Sequence, residues 1–160
     1  MSFKQPVQYD PITDPKKLYN RALYWLSKRD YSIADFSKKL DKVCLIQEMK
    51  DDLIVRLIEN DWLSEKRYTA AFVRSKISAG LGAFRIINDL KQHGIKDTDA
   101  KACIEEQSVD WFEQAKATYM RKYGETTIEE YKERAKRFRY MQYRGFSIDQ
   151  INYAMSPNED

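Results

Sequence analysis

The sequence predicts an all-α protein of three tandem three-helix repeats, elongated and slightly curved, and three observations predict it. Glycine and proline are scarce, 5 and 4 in 160 residues, which disfavours long coil, while abundant Lys, Glu, Ala and Leu favour helix. Apolar residues recur every three or four positions in short blocks punctuated by Gly, Ser and Asp. The blocks themselves also recur. Tyr19, Ala22 and Leu23 match Tyr68, Ala71 and Phe72 at a spacing of 49, and Leu40 matches Leu90 at 50. Leu90, Gly94 and Ile95 match Met141, Gly145 and Phe146 at 51. A period near fifty with three helices in each period indicates modules that bury their apolar stripes poorly alone and better when stacked. The predicted division is a flexible arm over 1–13, repeats over 14–63, 64–107 and 108–155, and a tail over 156–160.

In the first repeat, Asp14-Pro15 supplies an N-cap and a first-turn proline. Leu18, Ala22, Leu23, Trp25 and Leu26 form the stripe of the helix that follows, to about Arg29. Ser32 caps a second helix with Phe36, Leu40 and Val43, and Cys44-Leu45 stands where a stop is expected. Leu53, Ile54, Leu57 and Ile58 line the third helix, which Trp62-Leu63 closes. In the central repeat Ser64 is the N-cap, and Tyr68, Ala71, Phe72 and Ser75 follow helical spacing. Gly80-Leu81-Gly82 makes a turn, Ile86, Ile87 and Leu90 line the next helix, and His93-Gly94-Ile95 is a glycine stop. A helix from Asp97 or Thr98 carries Ala100, Cys103 and Ile104.

Ser108 opens the last repeat, whose first helix carries Trp111, Phe112, Ala115 and Tyr119 and ends near Tyr123-Gly124. The run from Thr127 to Glu130 reads as a capping box before a helix with Tyr131, Ala135, Phe138 and Gln142 on one side. Gly145-Phe146 repeats the glycine stop. Ser147 and Gln150 form a second capping box, opening a short helix with Ile148, Ile151 and Met155.

Composition bounds the function. A hydrophobic content of 42% with 33% charged residues describes a folded, soluble chain. The net charge of +3 is too small to identify a nucleic-acid binder, so clustering must decide. Cys44 and Cys103 sit in apolar patterns with no Cys-x-x-Cys spacing, as buried free thiols do in a reducing cytosol. With no apolar run of spanning length and no signal-peptide core near Met1, the expected location is the cytoplasm. Internal repetition makes a monomer the expected state.

Catalytic groups are thinly supplied, and no enzyme, metal or cofactor is expected. His93, the one histidine, stands at a helix end where the C-terminal dipole suits its charge. Acid pairs such as Asp51-Asp52, Glu105-Glu106 and Glu129-Glu130 are adjacent, so they diverge on a helix as solvated faces do. Gly80-Leu81-Gly82 has neither a preceding strand nor a following Gly-Lys-Ser/Thr, so it is a turn and not a phosphate loop.

The basic residues are more informative. Lys132, Arg134, Lys136, Arg137, Arg139 and Arg144 fall within thirteen residues against one acid, Glu133, with Tyr140 and Tyr143 between them. Placed opposite Ala135 and Phe138, they form either an ordinary solvated face or a surface for phosphates or an acidic protein groove. A looser set comprises Arg74, Lys76, Arg85 and Lys91, followed by Arg121 and Lys122. Helix-turn-helix readout of DNA would want an Asn/Gln/Arg cluster at one helix start, and no repeat offers one.

Several segments together resemble the RecX regulatory proteins of bacteria. They are Arg67-Tyr-Thr-Ala-Ala-Phe-Val-Arg-Ser-Lys76, Gly80-x-Gly82 with Arg85-Ile86, and Leu90-Lys-Gln-His-Gly-Ile95. Asp110-Trp111, Arg121-Lys-Tyr-Gly124 and Arg137-Phe followed by Tyr143-Arg-Gly-Phe146 complete the set. The likeness covers about Leu18 to Met155. It implies three tandem three-helix repeats and a protein lodged in the groove of the RecA filament on DNA. It also implies restraint of filament growth, strand exchange, ATP hydrolysis and the co-protease activity that triggers the SOS response. Cys44-Leu45, Ala79 and Ala83-Phe84 depart from the family pattern. The last two thin the positive charge at the central turn and move the expected contact towards Arg121, Lys122 and 132–144. Two functions are thus carried forward: a protein that binds RecA, and a helical module that binds DNA directly.

Overall fold

The computed structural model describes residues 10–157. The predicted arm over 1–13 therefore lies outside the described residues as far as position 9, and the tail does so from 158. Nine helices and no strand are found among the described residues. They are α1 (Pro15–Lys28), α2 (Ile33–Asp41), α3 (Gln47–Glu59), α4 (Glu65–Ser78), α5 (Ala83–Gln92), α6 (Asp97–Glu106), α7 (Trp111–Tyr123), α8 (Tyr131–Arg144) and α9 (Ile148–Met155). The chain divides into two compact units, Met1–Tyr68 and Thr69–Asp160, with the dividing point inside α4.

In the first unit the apolar periodicity places Leu18 and Ala22 of α1, Phe36 and Leu40 of α2, and Leu53 and Leu57 of α3 in one core with Cys44 and Leu63. Trp25 and Tyr31 meet the Phe36 ring edge-on at 6.1 and 5.6 Å, a favoured arrangement for aromatic quadrupoles. Polar termini are satisfied locally. Asp14 accepts the Lys16 N–H, and buried Ser32 accepts the Asp35 N–H at 3.1 Å. Glu65 accepts the Ile33 N–H. Arg67 donates to Asp30 and to the Asp61 and Trp62 carbonyls at the end of α3. Ile58, expected on the apolar stripe of α3, is exposed. Neither cysteine is in a disulfide; Cys44 is buried and Cys103 half-buried.

In the second unit three helices close in the same way. Gly80, Gly94 and Gly145 hold positive φ of 81°, 80° and 100°, and each next residue folds back to donate its N–H to a carbonyl in the last turn. The donors are Leu81 to Lys76, Ile95 to Leu90 and Phe146 to Met141. Asp61, with φ 57°, closes α3 likewise in the first unit. The residue folded back is buried each time in the second unit. Leu90 is fully buried, so Leu90→Ala is expected to cost about 2–5 kcal/mol through the cavity left behind, measurable by urea denaturation. Phe138 is half-buried against its core, so Phe138→Ala is expected to cost less.

Three local expectations need correction. On α4 the buried residues are Thr69 and Val73, while Ala71 and Ser75 face solvent; the true stripe is turned by one position. Asp110 caps α7, accepting from the Phe112 and Glu113 N–H groups, two residues after Ser108, whose positive φ follows the end of α6. The proposed capping box at Thr127 does not form: residues 126–129 have no regular structure, and α8 begins at Tyr131 without a side-chain cap. On α8 the buried residues are Arg137 and Met141, with Tyr131 and Gln142 exposed. The capping box at Ser147 and Gln150 does form, with both hydrogen bonds present.

Candidate partner interface

Helical geometry separates the basic residues of α8. At about 100° per residue, Lys132, Lys136, Arg139 and Tyr143 fall within about 60° of one another on a single stripe. All four are exposed, Tyr143 at 70%. No carboxylate pairs with Lys132, Lys136 or Arg139 among the described residues. Arg85 from α5 stacks over the Tyr143 ring with its guanidinium carbon 4.6 Å from the centroid, and Lys122 lies over Tyr140 at 5.4 Å. The result is a basic stripe edged with aromatic rings.

Arg137 does not belong to that stripe. It points the other way, is 4% exposed, and donates from Nη1 to Tyr119 Oη (2.8 Å) and to the Thr126 carbonyl (3.0 Å). Its Nη2 donates to Thr126 Oγ1 and its Nε to Glu133. The hydrogen bonds to Tyr119 and Glu133 push its pKa further above the ordinary guanidinium value, so it stays cationic inside. Tyr123 stacks on the guanidinium at 4.6 Å, and burial pushes that phenol's pKa up. Arg137 thus fastens the 124–130 segment to α7 and α8 from within. Its expected place on a binding surface is a misreading, since a sequence does not show that the partners lie on the opposite side of the helix.

Arg144 is half-buried. It donates to the Ala79 carbonyl at the end of α4, beside Thr118, whose hydroxyl donates to the Gly80 carbonyl at 2.8 Å. Arg121 is exposed and reaches the same point: a methyl placed on Gly80 would lie 3.4 Å from Arg144 Nη2 and 3.5 Å from Arg121 Nη1. Arg85 is held by Asp89 at 3.0 Å and by the Tyr143 carbonyl at 3.3 Å. Lys76 lies over the Phe72 ring. Arg74 and Lys91 are exposed on α4 and α5. Arg134 sits about 160° around α8 from Lys136, beside a cavity and off the stripe.

The turn between α4 and α5 and the turn between α8 and α9 interlock through backbone. Gly82 N–H donates to the Arg144 carbonyl at 2.8 Å and Phe84 N–H to the Gly145 carbonyl at 3.2 Å, so the end of α8 caps the start of α5. No side chain caps α5. A Cβ on Gly82 would press into the Gly145 carbonyl and stand 2.7 Å from Phe146 N. Nothing in the spacing of the glycines announces this close approach.

Among the described residues no group of three or more His, Cys, Asp or Glu side chains could hold a metal ion, and no helix is long and apolar enough to cross a membrane. Comparison with known families is decisive. The model of the RecX second three-helix domain matches residues 64–104, and that of the RecX third three-helix domain matches 108–155. The chain belongs to the RecX family. The RecX regulatory protein of Ectopseudomonas mendocina (strain ymp) is 34% identical over 140 residues, 88% of this chain and 93% of that one. The RecX regulatory protein of Actinobacillus pleuropneumoniae serotype 5b (strain L20) is 36% identical over 136 residues, 85% of this chain and 89% of its own. The crystal structure of RecX from Lactobacillus salivarius superposes with a TM-score of 0.73 at 22% identity, covering 88% of this chain and 94% of that one, a likeness of fold. The relatives are named as regulatory proteins, and RecX membership agrees with an all-α helical repeat.

Proposed function

We propose that this RecX protein acts in the cytoplasm as a regulator that binds the RecA nucleoprotein filament. In this reading it restrains filament growth and, with it, recombinase, ATPase and co-protease activity in DNA repair and the SOS response. The family membership supports the reading, and the observation that carries the site is the unpaired stripe of Lys132, Lys136 and Arg139 beside Tyr143 on α8. Three cations held without carboxylate partners cost little in solvent and attract an anionic surface at long range. Arg121 and Lys122 extend the basic character from α7, whereas Arg137 and Arg144 contribute to it through the fold. The repeat boundaries at 14–63, 64–107 and 108–155 are part of the proposal, with α1–α3, α4–α6 and α7–α9 as the three modules.

The test is RecA ATPase on single-stranded DNA with the protein titrated in. Inhibition well below one protein per RecA protomer is expected, and unchanged ATPase at equimolar protein overturns the reading. The combined Lys132→Ala, Lys136→Ala and Arg139→Ala variant is expected to raise the inhibitory concentration at least about tenfold. Its stability should shift by no more than about 1 kcal/mol, because all three side chains are exposed.

A direct DNA-binding role is the second reading, favoured by the aromatic edge of the stripe, where Tyr143 offers a face for stacking. Binding to single-stranded DNA without RecA should then fall steeply with salt, and the triple variant should reduce the slope by about two to three units. A flat salt profile would exclude this role.

A further inference from the structure

The cavity beside Arg134 is not used by the basic stripe. It has a volume of about 520 Å³, within the range of ligand-binding clefts, and lies between α7, the 124–130 segment and the end of α9. Met120, Ile128, Ala154 and Met155 supply apolar lining, and two cations, Lys116 and Arg134, also line it, the Lys116 ammonium 5.7 Å from the centre of the Tyr153 ring. Glu125 is the one carboxylate in the lining. No carboxylate pairs with either cation among the described residues.

The 126–129 segment supplies a further element. It is irregular chain between two helices, and its backbone N–H groups meet no acceptor among the described residues. Its carbonyl at Thr126 is taken by Arg137, and Thr126 Oγ1 donates to the Tyr123 carbonyl, so the segment is pinned from behind while its donors remain open. Open main-chain donors along a groove are what an extended peptide uses when it adds itself to a chain. The apolar lining selects an apolar side chain, and the two cations select carboxylates on either side of it.

We propose that this cavity is a docking site for an extended acidic peptide segment carrying an apolar anchor residue. The anchor sits over Met120 and Met155, the carboxylates face Lys116 and Arg134, and the peptide carbonyls accept from the 126–129 backbone. The site is separate from the Lys132, Lys136 and Arg139 stripe, so it stands whether or not that stripe contacts RecA.

The probe is a fluorescein-labelled, end-capped heptapeptide, Asp-Glu-Leu-Phe-Glu-Leu-Asp, titrated by anisotropy against the full chain, with its Lys-for-acid counterpart as control. Saturable binding below about 1 mM is expected, weakened about tenfold in the Lys116→Glu, Arg134→Glu double variant. Methyl NMR of labelled methionine locates the contact. The Met120 and Met155 signals should move, while Met49 of the first unit and Met141, which does not line the cavity, should stay. Equal binding of the basic peptide, an unchanged affinity in the double variant, or static Met120 and Met155 signals would each overturn the proposal. Movement of those signals by oligodeoxythymidylate but not by the peptide would also overturn it, and would assign the cavity to nucleic acid. Circular dichroism of the double variant checks that it is folded, and if it is not, the Met120 and Met155 signals of the unaltered chain decide the proposal. Because the assay contains no RecA, its failure and the failure of the regulatory reading are distinguishable.

Discussion

Gly145→Ala is expected to lower stability by about 2–5 kcal/mol through a single added methyl. Two costs combine. Gly145 holds φ 100°, where a Cβ costs about 1–2 kcal/mol. The added atom would also meet Arg85 at its backbone N and Cβ and stand 2.9 Å from its Cα, so a helix would have to move, an overpacking cost of about 1–3 kcal/mol. Gly124 is the comparison without a clash. Its φ of 61° with ψ −149° is a conformation essentially reserved for glycine, and nothing lies within 4 Å of a Cβ there, so Gly124→Ala is expected to carry a conformational cost alone, about 1–3 kcal/mol. Urea denaturation of the two variants side by side is the measurement. A loss at Gly145 of only about 1–2 kcal/mol, the conformational cost alone, would mean that the interlocked turns of α4–α5 and α8–α9 yield without cost.

Arg137→Ala is expected to cost about 3 kcal/mol, although an arginine on a basic helix is ordinarily replaceable. The loss comes from Tyr119, whose buried hydroxyl would be left without a donor, and from the part-buried Thr126 carbonyl, and hydrogen bonds to a charged group are worth about 1.5–3 kcal/mol. Part of the loss is returned because Glu133 is open enough to be solvated. The companion Arg139→Ala, two positions further along α8 and about 160° around it, is exposed and is expected to change stability by less than about 0.5 kcal/mol. A thermal melt separates them, and similar melting temperatures would show that water replaces the guanidinium without penalty.

These two residues show where the sequence is informative and where it stops. Ser32, Ser147 with Gln150, Gly94 and Gly145 act through bonds to residues within five positions, and each was legible from residue type and spacing alone. Leu90, Met141 and Ile151 were legible because strongly apolar residues at helical spacing have one place to go. The α4 stripe was not, because Ala71 and Thr69 differ too little in apolar character to choose the buried side, and helices elsewhere in the chain choose it. Thr127 to Glu130 has the form of a capping box, yet Arg137 binds the Thr126 carbonyl and hydroxyl and fixes the segment as irregular chain. Arg137 and Gly82 depend on residues far along the chain, so their roles could not be read from neighbours. The candidate site was legible as a cluster of cations in one helix. Its division into an exposed stripe, an internal fastening and a cavity-edge residue required the coordinates.

The capping of α5 by α8 also has a consequence in time. The first turn of α5 obtains its acceptors from Arg144 and Gly145, which leave the ribosome long after Gly82 and Phe84 do. Until then those two donors are solvated and the start of α5 frays, whatever the rest of its sequence prefers. The central and last repeats therefore cannot mature strictly one after the other. The chain must hold α5 half-formed while α7 and α8 are made, and completing α8 finishes a helix begun much earlier.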